Sequence, residues 1–247
     1  MMRDTMSLLV SILVKAPLIA IATFVMGAIN LVVSLFDNNG RKQIVIARKW
    51  SSMLLKIAGV EVEVEGIEKI STHGSYVFVA NHRSYMDTPV VMASIPMQFR
   101  FLAKEELFRI PFLGHHLRRA GHIPVPREDP RAAIRTMTEA GRTIQERGIS
   151  LLIFPEAGRT QGSLEPFKEG AAYIAIKAGV PLVPIGLIGT REVLPIHSYN
   201  LRGGLVKLKI GDPIQTAGLP LHQRGRITAE LYGRVAELLG QANLVAP

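Results

Sequence analysis

YVFVANHRSYMDTP, residues 76–89, decides how this chain is read. Its first five residues are aromatic or apolar, a run short enough for a fully buried strand. The run stops at Asn81, and polar residues dominate as far as Asp87. Thr88-Pro89 then announces a helix. Proline favours the first helical turn, and the residue before it avoids the α region. The helix is therefore expected to begin at Pro89, with Thr88 as its cap. Strand, polar loop and helix in that order form the repeating unit of an α/β sheet. The loop falls at the carboxyl end of its strand, where such sheets gather their sites.

His82 and Asp87 stand five positions apart in that loop. In an ideal helix five steps rotate about 140° and would separate them. In a loop, Asp87 can fold back onto His82. A carboxylate on one imidazole nitrogen fixes the tautomer and leaves the other nitrogen as a proton acceptor. The spacing equally allows Asp87 to cap the helix while His82 stands apart, and it does not choose between the two.

Outward from this loop the pattern repeats. VEVEVEG (60–66) alternates with period two, as a half-buried strand does. FRFLAK, GHIPVP, SLLIFP, LVPIGLIG and LVKLKIG are further strand candidates. Helical stretches lie between them. DPRAAIRTMTEAGRTIQERG carries Asp129 as N-cap, Pro130 at the first position and Gly148 at the end. FKEGAAYIAIKAGV and RGRITAELYGRVAELLG are two more. The expectation is an α/β fold, a mixed sheet flanked by helices, over residues 59–247.

Residues 1–58 read differently. Residues 16–36 carry no charge, and at ~1.5 Å per residue such a helix reaches the ~30 Å of a hydrocarbon core. The run is longer than the apolar core of a cleaved leader, and no small-x-small site precedes DNNG (37–40), so the helix is expected to stay. Ala16, Ala20, Thr23, Gly27, Asn30 and Ser34 form a stripe of small groups against which another helix can pack. RKQIVIARKWSSMLLKIAG (41–59) offers that partner. Ile44, Ala47, Ser51 and Leu54 make its apolar face. Lys42, Lys49 and Lys56, with Arg41 and Arg48 beside them, make a basic face suited to an anionic membrane. Whether this two-helix segment spans the bilayer or lies in one leaflet stays open. A single span would leave the bulk of the chain cytoplasmic.

Composition narrows the chemistry. The 247 residues are 48% hydrophobic and 20% charged, enough for a proper core. There is no cysteine, which removes disulfides, thiolate zinc sites and cysteine nucleophiles. The formal net charge of +9 seeks an anionic partner. Nucleic acid is not expected as that partner, because aromatics are only 6% and no nucleic-acid-binding motif appears. No glycine fingerprint for ATP or a dinucleotide follows a strand. Ser84 lies near His82 but in no G-x-S-x-G elbow. His115, His116 and His122 cluster without ligand spacing, so neither metal nor cofactor is expected. Lys104, Arg127 and Arg159 each follow a strand candidate and can meet at one anion pocket, where arginine's fork suits phosphate. Glu156 is placed to pair with Arg159.

Five of these blocks resemble, in order, those of the 1-acylglycerol-3-phosphate acyltransferases of the PlsC type. NHRSYMD is similar to their N-H-x-x-x-x-D, AKEELFRIPFLG to their lysine segment, and GHIPVPR to the block ending in arginine. FPEAGRT with PFKEG resembles F-P-E-G-T-R, and GVPLVPIGLIGTREVLP the last block. The resemblance covers roughly residues 60–215. It implies a membrane enzyme that moves a fatty acyl group from acyl-CoA or acyl carrier protein to the 2-hydroxyl of lysophosphatidate, making phosphatidate. His82 would be the general base and Asp87 its orienter, with no acyl-enzyme. Lys104, Arg127, Glu156, Gly158 and Arg159 would bind substrate, and no metal or cofactor would be needed. The family's glycine after the glutamate is Ala157 here, and its threonine is Gly158. That keeps alive an alternative acceptor, a different lysophospholipid or a lyso-aminolipid. A non-catalytic lipid-binding protein with the same fold and membrane helices is a separate alternative, against which the intact His82 and Asp87 argue.

Overall fold

In the computed structural model, residues 2–126, 128–159 and 162–241 are described. The chain opens with α1 (Met2–Val10), a π-helical turn (Ser11–Lys15) and α2 (Ala16–Ser34), which run on as one apolar rod. After the turn at residues 37–40 comes α3 (Arg41–Ala58). Then follow β1 (Val60–Glu65), β2 (Val77–Ala80), α4 (Asp87–Ser94), β3 (Phe99–Lys104), α5 (Leu113–Arg119), β4 (Ile123–Val125), α6 (Pro130–Arg147) and β5 (Ser150–Ile153). The chain continues through α7 (Gly170–Ala178), β6 (Leu182–Ile188), α8 (Thr190–Val193), β7 (Gly204–Ile210) and α9 (Arg224–Leu238). All seven expected strands form, in one mixed sheet of order β1-β7-β6-β2-β5-β3-β4. Among the pairs of these seven strands, β6–β7 alone is antiparallel in the described residues.

Period-two alternation assigns the strand residues to two faces. Phe78 and Ala80 point into one core with Phe99, Leu152 and Val183, covered by α3 and α4. Val77, Val79 and Leu151 point into the other, covered by α6, α7 and α9. β2 lies between β5 and β6, so its carboxyl end opens at the middle of the sheet. The edges carry their own protection. β1 presents three glutamates, of which Glu63 and Glu65 pair with Lys207 and Lys209 of β7, and β4 has Pro124.

The helix ends follow their sequence signals. Asp129 accepts from the Arg131 and Ala132 N–H groups, and Gly148 closes α6 at φ 58°. α7 starts three residues later than its pattern suggested, because the Lys168 N–H is taken by the Pro155 carbonyl at 3.0 Å.

The rod departs most from expectation. It extends far beyond residue 16 toward the N-terminus and takes in Lys15. Its ammonium donates to the carbonyls of Ala58 at 2.7 Å and Leu201 at 2.9 Å. The face against the body runs through Ser7, Ser11, Lys15, Ile19, Ala22, Asn30 and Ser34. Of the expected small-residue stripe, Asn30 and Ser34 are buried, whereas Ala16, Ala20 and Gly27 are exposed. Steps of four drift by about 40° in an ideal helix; the wider π turn holds Ser7, Ser11 and Lys15 on one side. On α3, Ile44, Ala47, Ser51 and Leu54 are buried as read. Lys42, Lys49 and Lys56 are exposed. Arg48 turns inward instead, donating to the Met92, Ile95 and Met97 carbonyls at the end of α4.

His122 ties the strands beneath the site. Its Nδ1 accepts the Phe101 N–H at 2.9 Å. Burial pushes its pKa down to about 3, with His116 and Arg100 adding repulsion. The unfolded chain protonates this ring near pH 6.5, whereas the native state does so only near 3. The sign follows: stability is full above the unfolded pKa and falls as pH drops from about 6.5 toward 3. The slope is ~1.4 kcal/mol per pH unit. Denaturant unfolding at pH 5 should show about 2 kcal/mol less stability from this group than at pH 7. His122→Asn keeps an acceptor, does not titrate, and should lose about one proton's worth of that slope.

Candidate active site

The polar loop begins with a rung of ladder made by a side chain. Asn81 accepts the Leu187 N–H at 2.7 Å and donates to the Leu187 carbonyl at 2.9 Å. This pins the exit of β2 against β6 just where the backbone turns away. His82 follows at the carboxyl end of the central strand.

Asp87 lies in the first turn of α4, two residues before Pro89, so the helix starts earlier than the Thr88-Pro89 signal suggested. Proline needs no N–H partner in the first turn and is tolerated there. The preference of Thr88 against the α region is overridden by what Asp87 holds. Its Oδ2 accepts from His82 Nδ1 at 2.8 Å, the Arg83 N–H at 2.7 Å and the Ser84 N–H at 2.8 Å. The side chain is fully buried, and that of His82 is 11% exposed. The two readings left open by the spacing thus hold together, since one carboxylate both organises the helix entry and meets the histidine. A carboxylate can only accept, so Nδ1 carries the proton and Nε2 the lone pair. Asp87 Oδ1 is buried without a hydrogen-bond partner among the described residues.

The ring of His82 stacks on Phe154 at 3.9 Å between centroids, 15° from parallel. Phe154 follows β5, the strand beside β2. Its neighbour Glu156 takes an unforeseen part. Glu156 Oε1 accepts the His82 N–H at 2.7 Å, and Oε2 accepts the Glu165 N–H at 3.2 Å. The ion pair expected between Glu156 and Arg159 does not form. Arg159 instead donates from Nε to the Ser84 carbonyl at 3.1 Å and lies 4.3 Å over the Tyr85 ring. Partial burial lowers its pKa, with Asp87 and Tyr85 opposing the shift. It remains a cation at neutral pH. Ser84 is a staple: its Oγ donates to the Leu194 carbonyl at 2.8 Å and accepts the Met86 N–H at 3.0 Å.

The structure thus brings His82 and Asp87, after β2, together with Glu156 and Arg159, after the neighbouring β5. Lys104 ends β3 on the rim and pairs with Glu106 at 3.0 Å, both half-exposed. Gly158 is exposed, and a Cβ there would meet nothing within 4 Å. Arg127 lies outside the described residues. Asn81, which opens the polar loop and the motif but was assigned no role from sequence, and Phe154 complete the frame. The position of Asn81 directly after a strand was the available signal. A ring stacked across two strands leaves none.

Ala157 sits at φ 61°. The turn therefore demands a left-handed residue where the sequence has alanine, and Gly158 has not taken over that position. An L-residue pays about 1–2 kcal/mol there, partly offset in a glycine variant by greater unfolded-state freedom. Ala157→Gly should raise stability by about 0.5–1 kcal/mol, seen as ~2–3 °C in a thermal melt.

The Acyltransferase family model matches residues 61–188, just over half of the 247-residue chain. The chain belongs to the Acyltransferase family. It is 35% identical over 186 residues to the chloroplastic 1-acyl-sn-glycerol-3-phosphate acyltransferase BAT2 of Brassica napus, covering 74% of this chain and 53% of that one. It is 27% identical over 207 residues to the 1-acyl-sn-glycerol-3-phosphate acyltransferase of Haemophilus influenzae, covering 83% and 85%. The crystal structure of the 1-acyl-sn-glycerophosphate acyltransferase PlsC from Thermotoga maritima matches with a TM-score of 0.74 and 26% identity, over 97% of each chain. The chain spans about half the length of the plant relatives it matches. The likeness to the Thermotoga structure covers 97% of each chain, so it takes in both the mixed sheet with its flanking helices and the apolar rod.

Proposed function

We propose that this family member transfers a fatty acyl group from a thioester, acyl-CoA or acyl carrier protein, to the 2-hydroxyl of lysophosphatidate, making phosphatidate for phospholipid synthesis. The observation that carries the reading is the buried Asp87 on Nδ1 of a His82 that still reaches the surface. His82 Nε2 takes the hydroxyl proton as the oxygen attacks the thioester carbon. The C–S bond breaks, and the thiolate leaves with the proton that His82 then returns. Asp87 holds the tautomer and stabilises the imidazolium. Ser84, bonded to Leu194 and Met86, supports direct transfer without an acyl-enzyme. Arg159, with Arg127 and Lys104, would hold the acceptor's phosphate; Glu156 acts by positioning the His82 backbone.

The rod supports a bilayer location. Its outer face is apolar from Asp4 to Ser34, about 46 Å of helix. Both ends touch the body: Arg202 pairs with Asp4 at 3.1 Å, and Arg119 donates to the Ser34 carbonyl. A spanning rod would carry one end across the bilayer and away from the body. We read it as lying in one leaflet.

The test is release of thiol from palmitoyl-CoA in detergent with lysophosphatidate added. The protein has no cysteine and contributes no background. Lysophosphatidate-dependent release is expected. No release with either donor across several lysolipids would overturn the reading. The strained Ala157 turn favours one variant of it, in which another lysolipid competes better than lysophosphatidate for the same site.

A further inference from the structure

Two surface loops expose more aromatic surface than a water-facing loop needs. Phe112 is 82% exposed and Tyr199 83% exposed, beside 78% for Phe24 on the outer face of the rod. Leu107, Ile110 and Leu113 flank Phe112 and are also exposed. The backbone drives these groups outward. Phe112 sits at φ 61°, ψ −52°, in a tight turn closed by the Leu113 N–H on the Pro111 carbonyl and the Gly114 N–H on the Ile110 carbonyl, both at 2.7 Å. A Cβ at Gly114 would lie 2.0 Å from the Phe108 carbonyl oxygen, so the turn has no slack. His197, two residues before Tyr199, is at φ 63°. Left-handed backbone at a non-glycine residue costs roughly 1–3 kcal/mol and marks positions with a use.

Both loops are bound to the rod, at opposite ends. Beside Tyr199, Asn200 Oδ1 accepts from Ser7 Oγ at 2.8 Å and Ser11 Oγ at 3.3 Å. Beside loop 107–113, His116 Nδ1 meets Asn30 Nδ2 at 3.0 Å, and Arg119 reaches Ser34. The apolar outer face of the rod thus runs between two aromatic tips. Phenylalanine and tyrosine at the two ends of an apolar band match the chemistry of the headgroup boundary. Charges near loop 107–113 are mixed, Arg109 being paired with Glu105 at 3.1 Å, so burial of rings and not charge supplies the contact.

We propose that the bilayer-contact surface is larger than the rod. Loop 107–113 and the loop bearing Tyr199 insert their tips into the same leaflet, and the molecule rests on three elements. The occupant is a phospholipid surface, because the patches continue the rod's lipid-sized apolar face. This rests on the reading of the rod as bilayer-bound, and the experiment separates the two.

Since the chain has no cysteine, single substitutions give unique labelling sites. Phe112→Cys and Tyr199→Cys, each in the full chain, are labelled with a nitrobenzoxadiazole fluorophore. They are bound to phosphatidylcholine–phosphatidylglycerol vesicles with and without lipid bearing a nitroxide high on the acyl chain. Phe24→Cys on the rod and Arg142→Cys on α6 are the references. Quenching at 112 and 199 at least half as strong as at 24, with little at 142, is the expected result. Quenching at 24 but no more at 112 and 199 than at 142 overturns the proposal and leaves the rod in the bilayer. No quenching at any of the four overturns both. A concentration-dependent blue shift at 112 or 199 in detergent without lipid quenching assigns the patches to a second copy, and also overturns it.

Discussion

His82→Ala is expected to lower the rate of acyl transfer by about 10³-fold or more while leaving the fold intact. The ring is partly exposed, and its backbone N–H keeps the Glu156 carboxylate whatever the side chain. On the proposed mechanism, what is lost is the base. A positioned general base contributes ~10²–10⁴ in rate, and no other imidazole stands at the carboxyl end of β2. Packing against Phe154 is lost too, at 3.9 Å between rings, and some stability goes with it. The assay is lysophosphatidate-dependent thiol release, with circular dichroism to confirm the fold. Activity within about tenfold of wild type would remove His82 from the mechanism.

Asp87→Asn is the second large effect, expected at about 10³–10⁴-fold, because it attacks the tautomer and not the ring. The carboxylate oxygen that meets His82 also accepts two backbone N–H groups. An amide can offer that position either its oxygen or its NH₂. If the oxygen stays with Arg83 and Ser84, His82 still finds an acceptor, but a neutral one that no longer stabilises the imidazolium. If the NH₂ turns there, it faces two N–H donors and forces the imidazole into the other tautomer. Thermal stability should fall as well, by about 1–3 kcal/mol, as charge-assisted bonds to buried N–H groups are weakened. The double variant His82→Ala/Asp87→Asn should be no slower than His82→Ala alone, because residues acting as a unit are not additive. A double variant slower by the product of the two losses would mean that Asp87 works through something other than His82.

These expectations rest on a loop whose residue types were legible and whose wiring was not. Strands and most helices could be read because period and caps are local properties, as at VEVEVE in β1 and at Asp129 and Gly148 around α6. The start of α4 was misread for the same reason. The local preference of Thr88-Pro89 was clear, and it lost to three hydrogen bonds converging on Asp87. The roles of Glu156 and Arg159 depend on which strand lies beside β2, and adjacency in a sheet is not written in any single segment. Glu156 looked like a partner for a nearby arginine. It turned out to hold the backbone of a residue 74 positions away. The rod shows the same limit, since its apolar length was evident whereas its contact edge was set by a π turn and by residues of a distant loop.

That last contact has a consequence for synthesis. Ser7 meets Asn200 across 193 positions of sequence. At ~5–20 residues per second, a ribosome needs about 10–40 s to supply the partner. During that interval the rod is complete as a helix, but Ser7 and Ser11 lack their partners at Asn200 and Leu201, and Lys15 has Ala58 alone. The nascent chain therefore meets its surroundings with an edge the mature molecule hides. Distance along the chain sets what is available when: the rod meets its surroundings first, and loop 194–203 emerges only later, just ahead of β7, which joins β1 to the rest of the sheet.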